Sequence, residues 1–420
     1  MRFVERAHLD TEPPVTVVVA TTPGGDGYQL VTASATRGPL IELATEPDLA
    51  DALVEFMQAG GRAGGPEAAT VTGHWRNGAT RSGPAPARSL GAEQSNTSVV
   101  VGGTHVLKVL RRLRPGPHPE VEVGLHLARV ADSAPAPVPA LSGWYELVEP
   151  DGTSTTLGIV QELVPGALDG WALVLGGLAA DPGELSARLH DLGVAVAELH
   201  GALRLSPQGP GNDSQMPSSD GDDHDPAAFG AESLRAAMLT DLSARIDLDA
   251  ERSGLAGDGR ISTVVSELIT DIGEDTGVAM RTHGDLHLGQ TLLGSNGWMI
   301  LDFEGEPSRP VTERRLRLSP LRDIAGMLRS FAYAAATHNR TGGTTLARGW
   351  EKAARAAFLD GYLASVDPTL LPTSAVSTQR LITLFEVEKL IYEIGYESAH
   401  RPDWIDIPMT GLQELVGSRP

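Results

Sequence analysis

The sequence predicts an α+β protein with a sheet-rich first part and a mostly helical second part, on three observations. Short apolar runs divided by Gly, Pro and Asp turn signals fill the chain up to about residue 165. One amphipathic helix pattern, 119–131, interrupts them. From residue 168 onward apolar positions recur at three and four.

The elements follow in order. Residues 14–20 (PVTVVVA) form a buried strand, with further strands at 27–33 and 39–44 and a helix at 47–58. The Gly, Ala, Pro and Arg-rich stretch 60–89, broken by TVTGHW, is expected to be a loose linker closing a β-rich cap of residues 1–88. Residues 89–165 hold a hairpin, Val99–Val101 with His105–Leu110, then the 119–131 helix and a stiff Ala-Pro connector at 134–140. A second hairpin turns at Asp151-Gly152, completing one twisted antiparallel sheet that carries one helix. Residues 166–420 are expected to be helical at 184–203, 228–248, 260–273, 321–337, 345–365 and 376–399, around a short β patch at 282–303. The acidic, breaker-rich stretch 208–226 is expected to be a surface insertion, its acids and His224 solvated rather than metal-binding.

Composition narrows the function. Lys and Arg number 33 against 54 Asp and Glu, a formal charge of −21. That argues against a nucleic-acid partner or an anionic membrane surface, which need a basic face. With no cysteine, thiolate metal sites and Cys nucleophiles are excluded and a reducing compartment fits. No apolar run approaches 18 residues and no signal-peptide pattern shows, so a cytoplasmic protein without a membrane span is expected.

The chemistry concentrates in residues 281–307, RTHGDLHLGQTLLGSNGWMILDFEGEP. His283-Gly284-Asp285 opens a loop, and the turn Gly294–Gly297 joins two short strands. That hairpin is expected to bring Asp285, Gln290 and Asp302 together. Such a set supplies oxygen donors for a hard cation and a spare carboxylate to accept a hydroxyl proton.

These residues resemble a known family. HGDLHLGQ (283–290) followed by ILDFEGEP (300–307) resembles the paired loops of the aminoglycoside-phosphotransferase-like kinases, and more closely those of bacterial maltokinases. Agreeing strings are EQSNTSVV (93–100), VLKVLRRL (106–113), PEVEV (119–123), DGWAL (169–173), SPLRDIAGMLRSFAYAA (319–335) and IYEIGYESAHRPDWIDIP (391–408). Members of the resembled family carry a Trp-rich segment at their start, whereas this sequence opens on a strand.

The resemblance implies a bilobal protein-kinase-like fold: the cap, an antiparallel-sheet N-lobe (89–165) and a helical C-lobe (166–420) with ATP held between the lobes. Implied cofactors are ATP and Mg²⁺. The implied reaction is phosphorylation of maltose at its anomeric hydroxyl to maltose 1-phosphate, for α-glucan synthesis, with a trehalose-to-maltose isomerase as partner. Alternatives are a kinase for another sugar such as glucosamine or for an aminoglycoside, and a degenerate kinase-like binding module.

Residue roles follow from the resemblance and from chemistry. Asp285 is the expected catalytic base. Gln290, Asp302 and Glu304 are the expected metal ligands. Lys108, mid-strand among apolar neighbours, needs an anion; it is expected on the ATP phosphates with Glu122 as ion partner and Glu120 as rival. Ser95, Asn96, Thr97 and Ser98 are expected as polar caps for the phosphates, and Glu162 and Val164 as backbone contacts to adenine. His283, Tyr392, Glu393, Tyr396, Arg401 and Trp404 are expected near the sugar, with Asp169 and Trp171 as weaker candidates. His283 and His287 are also expected to orient their loop, and Asp323 to buttress it.

Overall fold

The computed structural model describes residues 2–22, 27–33, 48–65, 68–80, 83, 85–92, 96–180, 182–205, 229–234, 236–255, 259–340 and 347–417. The expected strand 39–44, the insertion 208–226 and Ser95 lie outside them. The chain divides into two compact units. One comprises 1–128 with 139–166, the other 129–138 with 167–208 and 226–420.

The first unit contains two antiparallel sheets. β1 (Arg2–Leu9), β2 (Val15–Thr21), β3 (Gly27–Ala33) and β9 (Arg112–Leu113) form a four-stranded sheet in the order β1-β2-β3-β9. β2 lies inside it and is buried along six consecutive residues, which explains its unbroken valine run. The second sheet has seven strands. These are β4 (Arg62–Gly64), β5 (Thr70–Trp75), β6 (Ala85–Ala92), β7 (Asn96–Gly102), β8 (His105–Leu110), β10 (Leu141–Val148) and β11 (Ser154–Glu162), in the order β4-β5-β10-β11-β8-β7-β6.

Thus the stretch expected to be a linker supplies three strands, and residues on both sides of position 88 share one sheet. β4 and β6 are its edges. An edge strand tolerates Pro and needs no apolar alternation, so Pro86 and the small residues of β6 fit there. The β7–β8 hairpin turns at Gly102 and Gly103, both at positive φ (60° and 70°), a conformation that costs glycine little.

One apolar core joins both sheets to α1 (Asp48–Gln58): Val17, Leu53, Met57, Val99, Leu107, Tyr145 and Leu157 are all in it. Tyr145 is fully buried, and its hydroxyl accepts a hydrogen bond from Gln29 across 116 residues of sequence. On the opposite face, α2 (Pro119–Val130) packs Val121 and Leu125 on Leu141 and Ile159.

The second unit is mostly helical: α3 (Gly170–Ala180), α4 (Pro182–Leu203), α5 (Ala236–Arg252), α6 (Gly259–Ile272), α7 (Val311–Arg314), α8 (Leu321–Arg340), α9 (Ala347–Ser365), α10 (Ala375–His400) and α11 (Asp406–Gly417). β12 (Leu168–Asp169), β15 (Thr291–Gly294) and β16 (Gly297–Ile300) make a three-stranded sheet, and β13 (Glu232–Ser233) pairs with β14 (Val278–Ala279). Its core includes Phe331, Trp350, Phe358 and Phe385 from α8, α9 and α10. α10 begins at Ser374, whose hydroxyl caps the Ser377 N–H, and ends just before Pro402. Among the described residues no helix is long and apolar enough to cross a membrane.

Candidate active site

Three backbone devices fix the loop bearing Asp285. Asp323, 1% exposed near the start of α8, accepts the N–H groups of His283 (2.8 Å) and Gly284 (2.9 Å). Burial alone would raise its pKa, but its hydrogen bond with His200 and the nearby loop groups hold it below the usual carboxylate range. His200 in turn lies 3.0 Å from the Tyr362 hydroxyl, so the support reaches α9. Arg322 donates to the Gly284 carbonyl at 2.8 Å. Finally, Gly326 lets the loop backbone settle on α8, because a Cβ there would lie 2.6 Å from the Leu286 carbonyl oxygen.

His283 belongs to this support and not to a sugar site. It is 2% exposed; its Nε2 donates to the Leu301 carbonyl (2.7 Å), its Nδ1 accepts the Asp285 N–H (3.3 Å), and its ring lies on Phe303. His287 accepts the Gly289 N–H at Nδ1, and burial lowers its pKa.

The β15–β16 hairpin delivers the expected partner of this loop. Gln290 and Asp302 meet, with Nε2 to Oδ2 at 3.2 Å, and the Leu301 N–H donates to the Gln290 carbonyl. Asp302 takes a positive φ of 64°, a conformation uncommon outside glycine and one that concentrates at functional sites. Among the described residues no three His, Cys, Asp or Glu side chains gather as a metal site. The arrangement still fits Mg²⁺, which takes one or two carboxylates and completes its shell with water and phosphate oxygens. Asp302 would supply the carboxylate and Gln290, once its carboxamide turned, an oxygen. Glu304 is half-buried two residues on, with its backbone carbonyl accepting from Arg314.

Asp285 is not alone. Lys389 of α10 lies 2.9 Å from its Oδ1 and 2.7 Å from Oε1 of Glu306, which is 2% exposed. Glu306 also binds Arg322 (3.0 Å) and Arg309, and both arginines reach Glu388. Burial opposes each of these charges, yet mutual pairing wins: the Glu306 and Glu388 carboxyls are held low, and Lys389 and both guanidiniums high. Sequence reasoning missed Glu306, Glu388, Arg309 and Lys389. For Glu388 and Lys389 the available signal was FEVEKLIYEI, where charges stand inside an apolar stretch of a long helix and so need buried partners.

Several expected sugar contacts are committed elsewhere. Glu393 is 8% exposed and takes the Nε and Nη2 of Arg329 at 3.1 and 2.9 Å, tying α10 to α8. Arg401 donates to Glu397, which also accepts from Tyr333. Asp169 caps the start of α3 through the Ala172 N–H. Tyr392, Tyr396 and His400 instead form a stacked row, with ring centres 6.3 and 4.5 Å apart. Tyr392, its hydroxyl pKa pushed up to about 12 chiefly by burial, faces Lys389 at 4.9 Å; Tyr396 is 37% exposed. Trp404 is flanked by Arg340 and Arg401.

In the first unit Lys108 donates to Glu120, the rival of the expected Glu122, at 3.1 Å. Residues two apart on a helix point about 200° apart, and the phase of α2 buries Glu120 at 2% exposure while Glu122 stays half-buried. Asn96, Thr97 and Ser98 do not form a loop before the sheet; they lie in β7, where Ser98 is the cross-strand neighbour of Lys108. Asn96 and Thr97 are buried, and Thr97 receives Arg111. The Glu162 N–H is taken by the Ala140 carbonyl, and the Leu163 N–H by that of Thr104.

No protein-family model matches the chain. A glucosamine kinase of Streptacidiphilus jiangxiensis is 28% identical over 408 residues, covering 94% of this chain and 82% of that protein. A glucosamine kinase of Mycolicibacterium smegmatis is 28% identical over 341 residues, 78% of this chain and 79% of that protein. A solved glucosamine kinase, in complex with glucosamine, ADP and inorganic phosphate, superposes with a TM-score of 0.67 over 99% of this chain and 94% of its own, at 22% identity. These relatives carry the name glucosamine kinase, not the maltokinase name to which the sequence strings point. The chain has the kinase-like α+β fold of that structure, with antiparallel sheets in its N-terminal part and helices in most of the rest.

Proposed function

We propose that the protein is an ATP-dependent phosphotransferase acting on a hydroxyl of a small sugar, with glucosamine as the acceptor that its relatives favour. The observation that supports this most is the site built by two loops. One carries Asp285 on a backbone clamped by Asp323, and the other brings Asp302 against Gln290.

The chain's own groups divide the work. Asp285 accepts the proton of the attacking hydroxyl; the new O–P bond forms as the bond to ADP breaks, its electron pair leaving on ADP. Phosphoryl transfer depends more on positioning and charge neutralisation than on a strong base, which suits a carboxylate. Asp302 and Gln290 would hold Mg²⁺, which neutralises phosphate charge when bound. Lys108, kept in place by Glu120, would contact the phosphates. With the N–H groups of Glu162 and Leu163 already engaged, an adenine contact from this segment falls to the Val164 backbone.

Maltose is the second candidate acceptor. Tyr396 favours it, because an aromatic ring left 37% exposed can pack on a second sugar ring. The expected isomerase partner goes with that reading. ADP release measured with glucosamine, maltose, glucose and an aminoglycoside separates these readings. Turnover of glucosamine with little of maltose is expected. Turnover of maltose alone would reverse the choice, and MgATP binding without transfer to any of them would leave a degenerate binding module.

A further inference from the structure

Lys389 belongs to neither of the two loops that define the site, yet its ammonium touches the proposed base. A lysine side chain only 16% exposed requires anions around it, and here Asp285 and Glu306 supply them. The two carboxylates are not equivalent. Glu306 is held by Arg322 and Arg309 as well as by Lys389, so it is anchored from several sides. Asp285 lies in the half-buried part of the same cluster, where a substrate hydroxyl must arrive. An ammonium carries three N–H donors. Asp285 and Glu306 take two, and the Tyr392 ring lies on a further side at 4.9 Å.

We propose that Lys389 is a catalytic cation of the phosphoryl transfer: anchored by Glu306, it holds the Asp285 carboxylate in place and gives its third N–H to an oxygen of the acceptor or of the phosphoryl group in flight. The inference rests on the phosphotransferase reading above. A hydroxyl bonded to Asp285 Oδ1 sits about 2.7 Å from that oxygen, and Oδ1 is itself 2.9 Å from Nζ, so both groups work on the same few ångströms. Lys389 exchanges no proton. The hydroxyl proton goes to Asp285, the hydroxyl lone pair forms the O–P bond, and the ammonium stays charged while it offsets charge spread over the phosphoryl oxygens.

The test compares wild type, Lys389→Met, Lys389→Arg, Asp285→Asn and the double variant Lys389→Met/Asp285→Asn. Steady-state turnover is measured on the acceptor that wild type phosphorylates, MgATP affinity by calorimetry and Tm by scanning calorimetry. Lys389→Met is expected to lower kcat about 100-fold, with MgATP affinity unchanged within about threefold because the proposed contact is made in the transfer step and not to the bound nucleotide before it. Lys389→Arg is expected to recover part of the loss. The double variant is expected to be no slower than Asp285→Asn, since residues that act as a unit are not additive. A Lys389→Met enzyme within threefold of wild type in kcat, a loss explained wholly by its unfolded fraction, or multiplicative losses in the double variant would each overturn the proposal while leaving the phosphotransferase reading intact. A wild type that binds MgATP but phosphorylates no acceptor would overturn both.

Discussion

The two lysines drawn into this chemistry are held in different ways. Lys108 meets Glu120, twelve residues later, across the short step from β8 to α2. Lys389 meets Asp285 and Glu306, which are 104 and 83 residues earlier, inside a cage that also contains Arg309, Arg322 and Glu388. The first contact is set by the phase of one helix on one sheet. The second exists only if α10, α8 and the two loops are packed together. A local pair can form whenever its unit folds, whereas the cage joins the position of the proposed base to the integrity of a helical core. On the proposed function, nucleotide anchoring falls to the local pair and turnover to the long-range cage.

Asp285→Asn gives the largest expected effect: a fall in kcat of about 1,000-fold, with MgATP affinity within about twofold of wild type. A variant that keeps near-normal turnover in an ADP-release assay breaks the assignment of turnover to the cage. Lys108→Met is expected to act on the other side of the comparison, weakening MgATP binding about tenfold, or ~1.4 kcal/mol, by isothermal calorimetry. An unchanged affinity there would remove Lys108 from the phosphates.

Stability sharpens the contrast. Glu306→Gln leaves Lys389, Arg309 and Arg322 crowded around a neutral amide. Breaking a buried ionic group in this way costs about 3 kcal/mol, read as a lower midpoint in urea. Lys389→Met is expected to cost less, because Glu306 keeps both arginines; an equal or larger cost would show that the cage needs all three cations.

Asp323 predicts a smaller effect, confined to acid. Its folded pKa lies below the unfolded value of about 3.9, so its ionisation stabilises the fold above roughly pH 4, and that contribution is lost as the pH falls through the folded pKa. The stability advantage of wild type over Asp323→Asn in urea titrations is therefore expected to be constant near neutrality and to shrink below about pH 4. An advantage that grows on acidification would contradict the direction.

The hairpins and helices were legible because their signals are local. Gly102-Gly103 and Asp151-Gly152 specify turns, and α8, α9 and α10 fall within a few residues of their periodic patterns. Of the three strands in the stretch expected to be a linker, β4 and β6 are edges, and β1, which was not read as a strand, is another. An edge is paired on one side only and carries little of the apolar alternation that marks a strand.

By itself the sequence determined the order of sheet and helix, the two loops of the site and the meeting of Gln290 with Asp302, because a short hairpin brings residues twelve apart together. Tertiary structure alone decided that Lys108 takes Glu120, that His283 turns inward to Leu301, that Glu393 serves Arg329, and that Lys389 stands beside Asp285. The physical reason is range. Turn chemistry and side-chain period act over a few residues, whereas a buried charge is satisfied by whichever opposite charge the packing of distant helices brings within about 3 Å.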